Sequence, residues 1–211
     1  MNEFLNWTEL KLESVWHKAE KSVGSSRRDL SIIRIIYGLF ILTLIHLDFS
    51  WLGDIPQGLF LPNFLSLSNL FHGFPSYITM RTIEIILVLL GLGILLGIKS
   101  RWAGVIFVIT YIIGNSFNYS FGKINHDLIF FITFLLGLSF TNWGVNNAII
   151  PDHQVSSNTQ RKILTVLAIM LCFGMFTAGF EKAIHWVDFD LETGGFLSWF
   201  YGGYLKELPT I

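Results

Sequence analysis

Apolar residues fall in long blocks along this chain, and short polar clusters separate the blocks. Five blocks approach or exceed the ~20 residues with which a helix crosses a bilayer: residues 30–51, 78–98, 102–119, 127–143 and 161–180. The fourth has the shortest uncharged core, so tilt or local bilayer thinning is expected there. Ahead of them, Phe4, Leu5, Trp7, Leu10, Leu12, Val15 and Trp16 recur at roughly helical spacing among Glu and Lys. That spacing predicts an amphipathic helix within residues 1–28, lying on the membrane surface or on the bundle. Gly24-Ser25-Ser26 breaks it, and Arg27-Arg28 lead into the first block. The predicted class is all-α: a polytopic membrane helical bundle of five transmembrane helices plus an interfacial amino-terminal helix.

The connections differ in character. Residues 52–77 are broken by Pro56, Pro62, Gly73 and Pro75, yet carry Leu59, Phe60, Leu61, Phe64, Leu65, Leu67, Leu70 and Phe71. A segment so apolar is expected to lie in the interface or to re-enter the membrane. Residues 144–160 form a polar loop, and the aromatic stretch 195–205 reads as interfacial, with 206–211 as a short tail. Arg34 near the start of the first span, and His46 and Asp48 near its end, are expected to snorkel toward water. Arg81 and Glu84 stand one turn apart at the start of the second span. Close helix packing is expected at Gly93 and Gly97, four residues apart, and at Gly174 with Ala178.

Composition narrows the function classes. Charged residues make up 14% of the chain and hydrophobic ones 52%, against about 25% charged in soluble domains. With net charge −1 and no basic stripe, nucleic acid is not an expected partner, whereas the lipid bilayer is. Cys172 is the only cysteine, so no internal disulfide is expected, and a packing role is its default. The amino terminus shows no apolar signal-peptide core.

Charge also sets an orientation. Ten of the fourteen basic residues flank spans one and five or join spans two and three, leaving Arg81, Lys123, Lys182 and Lys206 for the other side. By the positive-inside rule the amino terminus is expected to be cytoplasmic. His46, Asp48, Asp54, His72, Arg81, Glu84, Lys123, Asn125, His126, Asp127, Glu181, Lys182 and His185 then gather on the extracytoplasmic side, roofed by residues 52–77.

Within that set, Phe121-Gly122-Lys123-Ile124-Asn125-His126-Asp127 concentrates an amine, an amide, an imidazole and a carboxylate at a membrane boundary. Such groups are costly there unless paired or used. The plain reading makes Asn125 and Asp127 helix caps and Lys123 an interfacial anchor. The functional reading makes Lys123 or His126 a base, since partial desolvation lowers a lysine pKa toward neutrality. Glu181, Lys182 and His185, spaced three and four apart, would share one helix face. Their plain reading is a solvated helix end. No H-x-x-x-H spacing occurs, and no metal site is expected.

The order of these pieces resembles the transmembrane domain of the vitamin K-dependent gamma-carboxylases, the HTTM domain. The resemblance rests on Leu30 to Arg34 with Gly38, Asp54-Ile55-Pro56-Gln57, Gly91 to Gly97 followed by Arg101, Asn125-His126-Asp127, and Ala178 to Lys182 with Trp186. It covers about residues 26–205, within a transmembrane domain taken as 29–205. It implies a reduced, vitamin K-type quinone as cofactor, deprotonated by the lysine that precedes the Asn-His pair, here Lys123. Oxygenation then yields a strong base that takes a proton from a glutamate side chain, to which carbon dioxide adds. A peptide substrate follows only from the large lumenal domain of the animal enzymes. The expected site is Lys123 and His126 as catalytic residues, with Asn125, Asp54, Glu181, Lys182 and His185 binding. Two other classes stay open: a non-catalytic membrane protein that binds quinone or lipid or assists peptide maturation or export, and a DoxX-like redox-associated subunit.

Overall fold

A computed structural model of the protein describes residues 2–45, 47–62, 64, 66–120 and 129–186, with side chains considered from Leu10 to Phe180. Among the described residues it is all-helical, with six α-helices and no strands: α1 Asn2–Ser22, α2 Arg27–Thr43, α3 Tyr77–Leu96, α4 Ser100–Asn118, α5 Ile129–Ser139 and α6 Ser157–Trp186. Short 3-10 turns at Ser50–Asp54, Gln57–Leu59 and Leu67–Leu70 connect α2 to α3. Two of these helices, Tyr77–Leu96 and the Ser157–Phe180 part of α6, are long and apolar enough to cross a membrane. The chain forms two compact units, residues 1–167 and 168–211.

Local chemistry sets the helix ends. Ser26 opens α2 with a reciprocal capping box: its hydroxyl accepts from the Asp29 N–H at 3.1 Å, and its own N–H donates to Asp29 Oδ2 at 3.0 Å. Ser76 caps α3 by accepting from Thr79 N–H at 3.3 Å, and Ser156 accepts from Thr159 N–H at 3.1 Å at the start of α6. Gly97 ends α3 at φ +70°, a left-handed conformation that lets the Ile98 N–H reach back to Gly93 O at 2.8 Å.

α4 lacks a side-chain cap of its own, because Lys99 precedes it at φ 45°. Asp152, far along the chain, supplies the missing acceptor: its Oδ2 takes the Arg101 N–H and the Ser100 hydroxyl, both at 2.9 Å. The loop holding Asp152 is tied to the turn after α3 by a short parallel bridge between Ile98 and Ile150. Asn142 then receives the Val155 N–H at 2.7 Å and donates to Gln160 Oε1 at 2.6 Å. The predicted polar loop of residues 144–160 is thus folded back onto the bundle end.

Packing departs from expectation at the glycines. Gly97 ends the helix and is also closely approached, by the Arg34 guanidinium and the Ala148 backbone, whereas a Cβ at Gly93 would lie in ordinary contact with Ala103 at 3.6 Å. Close approach of helix to helix occurs one face away from Gly93. A Cβ at Gly38 would stand 2.6 Å from Leu95 Cα, and one at Gly91 would stand 2.8 Å from Ile41 Cγ2. The α2–α3 seam therefore runs through Gly38 and Gly91. Leu30, Ile41, Leu87, Ile94, Phe107, Leu135 and Trp143 fill the interior around it.

Two further expectations are corrected. α2 stops at Thr43 well short of residue 51, because the Phe49 and Ser50 N–H groups are drawn to Glu84 instead of continuing the helix. Arg34 does not snorkel. It is fully buried and donates from Nη2 to Asn147 O at 2.5 Å.

Candidate functional site

A well-built polar centre where the α2–α3 connection meets α3 surrounds Glu84, whose residue surface is 3% exposed. Its Oε1 accepts the N–H groups of Phe49 at 2.7 Å and Ser50 at 2.5 Å, and its Oε2 lies 2.6 Å from Arg81 Nη1. Asp48 joins through the Ser50 hydroxyl at 3.3 Å. Three of the acidic and basic residues expected on this side are therefore brought together, and every Glu84 contact is accounted for by structure. The centre fixes the chain between α2 and the first 3-10 turn.

From there the segment folds over the end of α4 as a roof. Gln57 clamps it shut, accepting from Phe74 N–H at 2.8 Å and donating to Phe74 O at 3.0 Å. This pair of bonds mimics a backbone bridge and gives a physical role to the end of the Asp54-Ile55-Pro56-Gln57 motif. Beneath it, Phe60 meets Phe74 edge-on at 5.1 Å, and Phe71 meets Phe117 at 5.1 Å. Such aromatic pairs add roughly 0.5–1.5 kcal/mol beyond burial.

A buried serine network joins the roof to α4. The Ser66 hydroxyl donates to Ser116 O at 3.1 Å and lies 2.7 Å from the Ser68 hydroxyl, which receives Ser120 Oγ at 3.1 Å. The Leu61 N–H bonds Ser120 O at 2.8 Å. On the neighbouring face, Asn115 donates to Tyr119 Oη at 2.7 Å and accepts from Asn118 at 2.9 Å. Nothing in the sequence reading singled out these residues. Their signal is the recurrence of Ser and Asn three and four apart inside an apolar span, which places them on shared helix faces.

Lys123, Asn125 and His126 lie outside the described residues, as does His46. What the structure fixes is their point of departure: Ser120, fully buried and held by the roof. Asp54 is exposed at the end of the first 3-10 turn. Glu181, Lys182 and His185 belong to α6, which continues to Trp186 instead of ending at 181–182. Three and four residues apart, they fall on one face of that helix, while their side chains are outside the described part. No family model, curated protein or solved structure matches this chain.

Proposed function

We propose that the protein is a multi-pass membrane protein of five spans, amino terminus cytoplasmic, with an extracytoplasmic site for a reduced quinone around Lys123, Asn125 and His126. The observation that carries this reading is the locked end of α4. Ser120, the last described residue before that stretch, is pinned by Ser68 and Leu61, and the roof that holds it carries no formal charge from Ile55 to Met80. The neighbourhood suits such a group. Phe60, Phe71, Phe74 and Phe117 favour an apolar ring, and Asn115, Asn118 and Tyr119 favour its oxygens.

When bound, the reduced quinone supplies the reducing equivalents and, with oxygen, the strong base of carboxylase-like chemistry. The chain's own contribution is proton handling. Lys123 as a free amine would take a hydroxyl proton on Nζ, and Asn125 and His126 would orient the oxygen that gives it up and stabilise the anion left there. Asp54 is assigned to binding at that site, and Glu181, Lys182 and His185 are assigned to binding on the α6 unit by itself. The ten-to-four partition of basic residues supports the orientation.

The test is quinol-dependent oxygen uptake by the purified protein in nanodiscs. Lysine can lose its proton near neutral pH and arginine cannot. Lys123→Arg should abolish uptake while abundance and melting temperature stay unchanged, and His126→Gln should be similarly damaging. Uptake that survives both substitutions would overturn the base assignment. Saturable quinone binding without uptake in the native protein would favour the non-catalytic quinone-binding reading, which the same aromatic, uncharged roof supports.

A further inference from the structure

The roof is built inside out. Several of its polar side chains are consumed by the protein itself: the exposed Gln57 on the Phe74 backbone, and Ser66 and Ser68 on each other, on Ser116 and on Ser120, while Asn69 and His72 are exposed. Its large apolar side chains turn outward, with Leu61 67%, Phe64 90% and Leu70 77% exposed, and Leu59, Leu67 and Phe71 beside them. A water-facing loop has the opposite arrangement, and contiguous apolar patches of this kind mark contact with another apolar phase. Beyond the exposed polar residues His72 and Ser76 the chain enters α3, where Tyr77, Ile78, Ile85 and Leu89 are exposed as well.

We infer that the roof is a lipid-embedded element whose partner is the acyl chains of the outer leaflet, not water and not a second protein. Irregular backbone survives at membrane depth only where its polar groups are satisfied internally. The Leu61 bond to Ser120, the Phe60 bond to Gln57 and the Phe71 bond to Ser68 supply that satisfaction. The run from Ile55 to Met80 holds no Asp, Glu, Lys or Arg, which leaves the exposed His72 as its one group able to turn cationic. Asp54 and Arg81 bracket the run and sit where it leaves the lipid. The inference depends on the membrane reading but not on the quinol chemistry.

Spin labelling of the full chain in phosphatidylcholine vesicles tests it. In a Cys172→Ser background, single cysteines at Leu61, Phe64 and Leu70 are labelled and their collisions with oxygen and with a water-soluble nickel chelate compared. Leu89 on α3 serves as the lipid reference, and Gln154, in the loop before α6, as the water reference. The roof labels should match Leu89, with oxygen strongly favoured over nickel. Nickel access like that of Gln154 overturns the inference, and so does shielding from both reagents, the mark of a protein cover. If Leu89 itself is open to nickel, the membrane reading fails as well, which separates the two. Three label positions with unchanged melting temperature guard against one variant that misfolds.

Discussion

Glu84 in α3 and Arg34 in α2 are both buried charges, one near each end of the same helix pair, and they are held in opposite ways. Glu84 is saturated: two backbone N–H groups and the Arg81 guanidinium occupy its oxygens. Among the described residues Arg34 has one acceptor, Asn147 O, while its Nε and Nη1 have no hydrogen-bond partner. Its guanidinium occupies the space beside Gly97 that any side chain there would need. The contrast shows that burial alone does not make a charge structural. Glu84 organises the loop it binds, whereas Arg34 fills a gap that the glycine leaves.

The first prediction exploits that difference. Glu84→Ala strands the Phe49 and Ser50 N–H groups and unpairs Arg81, at a cost of about 3 kcal/mol or more. Glu84→Gln keeps an acceptor at the same place and should cost about 1 kcal/mol. Arg34→Met removes two unserved donors and retains the bulk, so stability should change by less than about 1 kcal/mol in either direction. Thermal unfolding in detergent ranks the three. An Arg34→Met loss as large as that of Glu84→Ala would mean that Arg34 is fully served in the membrane.

Next in size is the helix seam. Gly38→Ala drives a methyl into Leu95 backbone, which cannot retreat, and should cost about 1–3 kcal/mol. Gly91→Ala meets only the Ile41 and Leu42 side chains and should cost less. Gly93→Ala has room and replaces a poor helix former, so it should be neutral or stabilising by up to about 1 kcal/mol. Melting temperatures of the three variants check the order. Equal losses at Gly38 and Gly93 would place the seam elsewhere.

Why the glycines were misread shows how far a sequence carries. The helices α3 and α4 are legible to within two residues, because long apolar blocks flanked by Ser, Gly and charge leave little choice, whereas α6 starts at Ser157 and runs on to Trp186. The spacing of Gly93 and Gly97 carried no information about which neighbour each faces, and Gly97 is spent on ending α3. α2 was read too long because nothing local announces that Glu84, some 35 residues away, takes the Phe49 N–H. The same holds for Asp152 capping α4 and for the serine network: each is a pairing at long range. Of the site, the Asp54-Ile55-Pro56-Gln57 motif was visible as a motif, but its clamp through Gln57 is a tertiary fact. Lys123, Asn125 and His126 remain an expectation drawn from sequence.

The smallest effect belongs to the basic end, where stability comes from local caps exposed to water. The capping box of Ser26 and Asp29 opens α2. There the Ser26 hydroxyl, then the Ser26 backbone N–H, hold the Asp29 carboxyl below its ordinary range, with Arg28 adding a little. The sign follows directly. A carboxylate with a depressed native pKa stabilises the fold above its unfolded value, near 3.8, and that contribution fades as pH falls through the native value. Native protein should therefore exceed Asp29→Ala in stability at neutral pH, and the gap should close in acid. Ser26→Ala should lose about 1 kcal/mol at neutral pH, as N-cap removals do. High salt should also narrow the Asp29 gap, because this pair is open to solvent. Unfolding of both variants at neutral and acid pH measures the gap. A gap that stays constant with pH would show that Asp29 acts as a neutral spacer and that the capping box contributes through Ser26 alone.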